Sequence, residues 1–186
     1  MKKEIRILGI DDAPFDKFKK GKVLVVGTVF RGGSFIDGVL STKVDVDGND
    51  ATKKLVNLVN KTKHKPQLQY IVLDGIALGG FNVVNIEELY NKTSLPVIVV
   101  IRRMPDRKKI IETLKKIKHE EKIALIKKAG KIYHINKIFI QIKGLSIEEA
   151  ESVLKISCTR SLLPEPIRVA HLIASGIVTG ESKGNA

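Results

Sequence analysis

A handful of acids and one histidine stand where side chains of this chain can do chemistry. Asp11 and Asp12 close the run IRILGIDD, and Asp74 closes YIVLDG. Asp50, with Asp47 as the alternative, sits where VDVDGND turns towards a helical pattern. His171 lies in VAHLI, within the last apolar segment. Paired carboxylates at the end of a buried strand put negative charge at a sheet edge, where a metal ion or a basic ligand can meet it. A competing reading makes Asp12-Ala13-Pro14 a simple turn in which an Asp caps local amides. Asp50 has a structural role open to it too, because the helix dipole favours an acid in the first turn. A histidine among apolar helical neighbours is commonly a packing residue. Its chemical reading is a proton donor, or a group that holds water, delivered to the carboxylate edge by the rigid Pro164-Glu165-Pro166 corner. His64, His119 and His134 lie in polar or basic contexts and are assigned no role.

The elements that must position these groups follow from patterning. The run from Ile5 ends near the aspartates because Pro14 cannot donate to a ladder. Val23–Phe30 is a β-branched strand, Arg31-Gly32-Gly33-Ser34 a hairpin-type turn, and Phe35 to about Val46 a third strand. Ala51, Leu55, Leu58 and Val59 recur at helical spacing. Residues 70–75 and 95–103 read as buried parallel strands, the second ending in Arg102-Arg103. Ligands of open α/β sheets bind beyond the carboxyl ends of such strands, which is where Asp74 falls. The glycine-containing loop Ile76–Phe81 does not match a phosphate-binding P-loop. Basic helices are predicted from Pro105 to about Leu114 and from about Glu120 to Ala129, with Lys122, Lys127 and Lys128 on the outer surface. Two short strand candidates, Lys131–Ile135 and Lys137–Lys143, come next. Ser146 and Glu149 form a capping box, and a final helix is expected to stop at Gly176.

Composition narrows the class. The chain has 186 residues, is 43% hydrophobic and carries a net charge of +13. That length predicts one domain spanning 1–186, with a small polar tail from about 179 that is mobile unless bound. Lys and Arg outnumber Asp and Glu by 33 to 20, an imbalance that predicts a polyanionic partner, nucleic acid first. Lys-rich and Glu-rich thermophile composition does not by itself produce such an imbalance, although scarce Gln, Cys and Met suit a hot-living source. No apolar run approaches the roughly 20 residues of a membrane span, and the N-terminus is not a signal peptide. The single Cys158 excludes an internal disulfide framework and predicts a reducing cytoplasm.

Three antiparallel strands, a helix and then alternating strands and helices is the order of a ribonuclease H-like α/β domain. Its mixed five-stranded sheet has the order 3-2-1-4-5, with helices on both faces. There strand one lies beside strand four, so Asp11 and Asp74 become neighbours, and the acid at the helix start, Asp50, can complete a triad. Such a cluster needs a cation, since neighbouring carboxylates raise one another's pKa. Hard oxygen donors select Mg2+ or Mn2+, which suit phosphodiester hydrolysis.

The same residues resemble the endonuclease V family in Gly9-Ile10-Asp11, in Leu73-Asp74-Gly75-Ile76 and in Leu95-Pro96-Val97-Ile98-Val99. The chain resembles the archaeal endonuclease dU family more closely, through GIDDAPF, VDGNDAT, LDGIALGGFNVVN, PVIVVIRR and PEPIRVAHLIASGIVTGESKGNA. That resemblance covers essentially the whole chain. It implies a metal-dependent endonuclease that nicks DNA near a deaminated base, with deoxyuridine as the named substrate. It also implies Asp11 and Asp74 as metal ligands and His171 as the histidine of the last helix. Asp12 is expected to cap the turn or support the site from behind. The helix acid departs from the endonuclease V pattern, where a Glu follows a Pro-Tyr-Ile-Pro wedge. Here Asp50 or Asp47 is the candidate third ligand, and Arg31–Phe35 stands in place of the wedge.

Phosphate contacts are expected from Arg31, Arg102, Arg103, Arg168 and Lys183, near strand ends or in the tail. Gly32-Gly33 and Gly79-Gly80 are the loops open enough to accept a flipped base. A metal-dependent ribonuclease on structured RNA, and a non-catalytic nucleic-acid-binding protein of the same fold, are the alternatives. Whether the protein is a monomer or a dimer is not readable from the chain.

Overall fold

Alternation along the first strand divides the molecule into two faces. The structure, a computed structural model, describes residues 4–182. β1 (Arg6–Asp12), β2 (Lys22–Arg31) and β3 (Phe35–Asp45) form an antiparallel meander, and α1 (Ala51–Lys61) leads to β4 (Tyr70–Asp74). A two-residue ladder, β5 (Ala77–Leu78) and β6 (Asn82–Val83), precedes α2 (Ile86–Thr93) and β7 (Val97–Ile101). Then follow α3 (Arg107–Lys116), α4 (Glu121–Lys128), β8 (Tyr133–Ile135), β9 (Ile138–Lys143), α5 (Ile147–Ser157) and α6 (Glu165–Thr179).

The main sheet runs β3-β2-β1-β4-β7-β9-β8. Its first five positions are the expected 3-2-1-4-5, but the sheet has seven strands rather than five. β9 adds antiparallel to β7 through Val97↔Lys143 to Ile101↔Phe139, and β8 closes on β9 in a hairpin turning at left-handed Asn136. The two strand candidates at 131–143 are therefore part of the sheet. β4 and β7, apolar up to the terminal Asp74 of β4 and buried on both sides, are its parallel centre.

On one face Leu8, Ile10, Ile71 and Leu73 pack with Leu55 and Val59 of α1 and Leu89 of α2. On the other face Ile7, Val72 and Ile98 pack with Val153 and Leu154 of α5 and Ile167 of α6. The capping box holds, with Ser146 accepting from the Glu149 amide at 3.2 Å. Gly176 does not stop α6, which continues to Thr179 and ends at left-handed Gly180. Lys122 does not extend the basic surface: it is fully buried, and its Nζ donates to the Asp47 carbonyl oxygen.

Candidate functional site: a carboxylate and histidine edge

Parity decides which acids meet. β1 and β4 run parallel in the register Gly9↔Val72 and Ile10↔Leu73, so the next residues, Asp11 and Asp74, fall side by side. Both belong to the face carrying Ile7 and Val72, over which α6 lies. Asp12 belongs to the opposite face, where its Oδ2 accepts the Gly79 amide at 2.7 Å. The adjacent carboxylates are thus separated by the pleat, one towards α6 and one towards the glycine loop.

Gly9 lets α6 come down onto this edge. A Cβ there would lie 2.3 Å from the Pro166 carbonyl carbon, a distance no side chain tolerates. Thr28 Oγ1 donates to the Pro166 carbonyl at 2.6 Å and fixes the start of the helix. Ala170 and Ala174 continue the close approach against Ala13 and Val26. With these small residues as contacts, His171 reaches Asp11, and its Nδ1 lies 2.9 Å from Asp11 Oδ2. The other Asp11 oxygen accepts the Asp12 amide at 2.9 Å.

Asp11 is 4% exposed, and burial pushes its carboxyl up from 3.8 to about 6. The His171 contact opposes that rise, while Asp74 and Asp12 reinforce it. Burial likewise raises Asp12, against the Gly79 amide that lowers it. The Asp11 hydrogen bond raises His171, favouring the imidazolium against its partial burial and against Arg102. Arg102 makes an ion pair with Asp74 Oδ2. Asp12, Ala13, Pro14, Phe15 and Lys17 complete the wall of the open cleft that holds Asp11, Asp74, Arg102 and His171.

Asp50 and Asp47 are not brought to this cleft. Asp50 Oδ1 accepts the Asp45 amide at 3.1 Å and Asn82 Nδ2 at 2.7 Å, so it ties the end of β3 to β6. Asn82, fully buried, also accepts the Ala51 amide at 2.9 Å, and Asp50, the N-cap of α1, makes no side-chain cap bond to the helix. Asp47, left-handed at φ 52, accepts the Phe81 amide at 2.8 Å. Its own amide donates to the Gly79 carbonyl at 2.9 Å. A relay therefore runs from buried Lys122 through Asp47 and Gly79 to Asp12.

Among the described residues, no group of three or more His, Cys, Asp or Glu side chains is gathered to hold a metal ion. What the cleft does contain suits a hard cation held by few protein ligands. Mg2+ commonly takes one or two carboxylates and fills its remaining positions with water and phosphate oxygens. Asp11 and Asp74 supply that pair. Arg102 presently supplies the positive charge at Asp74.

The expected phosphate-binding residues divide between the two ends of the sheet. Gly79, Gly80, Arg102 and exposed Arg103 lie at the carboxylate edge or on the turns beside it. Arg31, Gly32 and Gly33 do not. Arg6 pairs with Arg31 whereas Asp11 pairs with Val26, so this turn lies at the far end of β1, about 17 Å away at ~3.4 Å per residue. Arg31 there pairs with Asp37 at 3.1 Å, and the Gly32 amide bonds the Ile5 carbonyl oxygen at 2.7 Å. Gly33 and Arg168 line a second cleft with Arg160, and Arg168 pairs with buried Glu165 at 2.7 Å. Arg31–Phe35 is thus no local substitute for a wedge beside the carboxylates. Lys183 lies outside the described residues. Lys17 and Asn82 were assigned no role by patterning, and Lys122 was placed on the outer surface. Only Lys17 had a sequence signal, the basic run that follows GIDDAPF.

A family model described as endonuclease dU matches residues 3–178. The chain belongs to the endonuclease dU family. It is a nuclease by that membership, with archaeal relatives. One of them, a UPF0215 protein of Methanothermobacter thermautotrophicus, is 50% identical over 191 residues, covering 100% of this chain and 94% of the relative. A crystal structure of a protein of unknown function from Archaeoglobus fulgidus superposes with a TM-score of 0.88. It is 41% identical and covers 94% of this chain and 99% of its own. Endonuclease V from Ciona intestinalis, solved with a 24mer DNA containing an inosine followed by a ribo-adenosine, superposes with a TM-score of 0.56. It covers 90% of this chain and 82% of its own at 16% identity, so the two share the fold. This endonuclease dU chain is thereby ribonuclease H-like. Among its described residues no helix is long and apolar enough to cross a membrane.

Proposed function

We propose that this protein is an endonuclease that hydrolyses a phosphodiester bond in DNA near a deaminated base, with deoxyuridine as the preferred lesion and Mg2+ or Mn2+ as cofactor. The observation that carries the reading is the Asp11–His171 pair, 2.9 Å apart, beside Asp74 at the carboxyl ends of adjacent parallel strands. Membership of the endonuclease dU family supports deoxyuridine, and the shared fold with a DNA-bound endonuclease V supports DNA.

Asp11 and Asp74 are the residues that would hold the cation. When bound, the cation orients and activates water and offsets the negative charge that develops on phosphate. Asp11, with the Asp12 amide as its one backbone donor, offers its carboxylate to positive charge and orients the imidazole through Nδ1. That leaves His171 Nε2 to protonate the departing oxygen or to hold the attacking water. Arg102 shifts from Asp74 to a phosphate oxygen as substrate enters, keeping an anionic partner in both states. Asp12, on the wall of the cleft, holds the Gly79 loop behind it by accepting the Gly79 amide. Arg103 lies within reach of the backbone on the same side. Such phosphate contacts position without reading sequence, so binding is salt-sensitive and indifferent to sequence beyond the lesion.

The test uses labelled duplex and single-stranded DNA carrying deoxyuridine, deoxyinosine or normal bases, each with and without Mg2+ or Mn2+. Nicking of the deoxyuridine strand that requires the metal and disappears in Asp11→Ala and Asp74→Ala is the expected result. Binding without cleavage under every metal would overturn the proposal, and preferential cleavage of a structured RNA would reassign the substrate.

A further inference from the structure

The β1–β2 loop carries a feature that the carboxylate edge does not use. Phe18 is 87% exposed, the most exposed large apolar side chain among the described residues. Leaving a phenylalanine in water forgoes ~2 kcal/mol of burial. Single exposed apolar residues are ordinary, so exposure alone means little. Phe18 is distinguished by its setting.

It stands within the run Lys17-Phe18-Lys19-Lys20-Gly21-Lys22, with Lys17 Nζ 5.2 Å from its ring centroid. The loop is built rather than slack. Asp16 accepts the Phe18 amide at 3.0 Å through its side chain and the Lys19 amide at 3.1 Å through its carbonyl oxygen, which turns the ring outward. The ends are pinned by Ala13 N to Leu24 O at 2.8 Å and Val46 N to Gly21 O at 2.9 Å. Lys19 has only an exposed contact with Asp16 at 3.5 Å, Lys22 pairs with Asp45, and Lys20 makes no ion pair among the described residues. Lys17 lines both the carboxylate cleft and the neighbouring cleft formed by this loop, Asp45, Asp47 and His119, so the lysine-bearing loop is the wall the two share.

An aromatic ring among lysines, continuous with a phosphodiester-cleaving site, has the chemistry of a single-stranded nucleic-acid platform. Stacking on the ring tolerates any base, and the ammonium groups track the backbone. We propose that the loop at residues 16–22 is a DNA-binding surface on which Phe18 stacks against an unpaired base while Lys17, Lys19 and Lys20 hold the flanking phosphates. This rests on the DNA endonuclease reading for its substrate. It adds the residues that receive DNA opened beside the lesion.

The experiment measures binding of a single-stranded DNA containing 2-aminopurine by the full chain in chelator, so that no cleavage intervenes. Phe18→Ala should weaken binding about tenfold and remove the quenching of 2-aminopurine. Phe18→Trp should restore affinity, and its own fluorescence should be quenched by DNA. A Lys19→Ala, Lys20→Ala double variant should keep the stacking signal while lowering the salt slope by about 1.4, roughly 0.7 per contact. All these side chains are exposed, so folding is not at issue. Wild-type affinity in Phe18→Ala, or unquenched tryptophan in Phe18→Trp, overturns the proposal. If the wild-type protein stacks DNA but never cleaves it, the platform stands and the endonuclease reading falls. If it cleaves and Phe18→Ala cleaves and binds equally well, only the platform falls.

Discussion

Two groups of aspartates occupy neighbouring corners of this molecule, and their partners differ in kind. At the β3–α1 corner, Asp47 and Asp50 accept fixed amide donors from Phe81, Asp45 and Asn82. At the β1–β4 edge, Asp11 keeps one amide donor, that of Asp12, but its other oxygen meets a titratable imidazole, and Asp74 meets a partly exposed guanidinium. Amide donors cannot leave or change charge, so the first pair is committed to holding loops together. Imidazole can change its protonation and a surface arginine can move, so the second pair stays available to a cation or a phosphate. Residue type and chain position are alike in the two corners. What separates structure from chemistry is whether the partner can be exchanged.

The largest effect that would sharpen this contrast is on turnover. His171→Ala should lower kcat on deoxyuridine-containing DNA by 10^2- to 10^4-fold and flatten its pH profile, measured under single-turnover conditions. Asp50→Asn should leave kcat within a few-fold of wild type. Equal losses in the two variants would break the comparison.

Next is the pH dependence of stability without metal. Asp11 titrates at about 6 in the fold instead of 3.8, so the folded state binds the extra proton and stability falls as pH rises through that window. At 1.36 kcal/mol per pKa unit, the loss is about 3 kcal/mol. His171 is raised above its usual value, so its contribution is present below about 6.5 and fades as pH rises through its folded pKa, in the same direction. Chemical denaturation in chelator should show wild type losing stability between pH 4 and 8. Asp11→Asn should fall less steeply, with buried Asp12 still contributing in the same direction, and be the more stable of the two at pH 8. A wild-type curve that rises across this range would mean that Asp11 is adequately compensated without a cation.

Gly9→Ala tests how the histidine is delivered. A methyl group 2.3 Å from the Pro166 backbone must push α6 away, costing about 1–3 kcal/mol as overpacking does. Because the shift separates His171 from Asp11, kcat should fall as well, which a purely destabilising change would not cause below the melting range. The smallest expected effect is the stability of Asp50→Asn. Losing one acceptor to Asn82 or Asp45 should cost about 1 kcal/mol by thermal melting, with cleavage retained.

Much of this arrangement was legible from local pattern. Short apolar runs ending in acids located β1 and β4, and the order of strands and helices predicted their adjacency and the meeting of Asp11 with Asp74. The capping box at Ser146 was readable because all its atoms lie within one helical turn. The strands at 131–143 could be recognised, but not their docking on β7, because pairing partners far apart in sequence leave no local periodicity. The stop at Gly176 was misread since a helix already packed against β1 and β2 can carry a glycine through its interior.

The chain by itself determined which side chains are available at the sheet edge, because strand length and the two-residue period are local properties. Only the tertiary structure decided what each acid does. Asp50 was diverted by Asn82, 32 residues away, and Asp11 was coupled to His171, 160 residues away. Lys122 was drawn inside to the Asp47 carbonyl oxygen, although its neighbours in sequence are those of a solvated face. A carboxylate's role depends on which donors surround it, and those donors are brought there by packing.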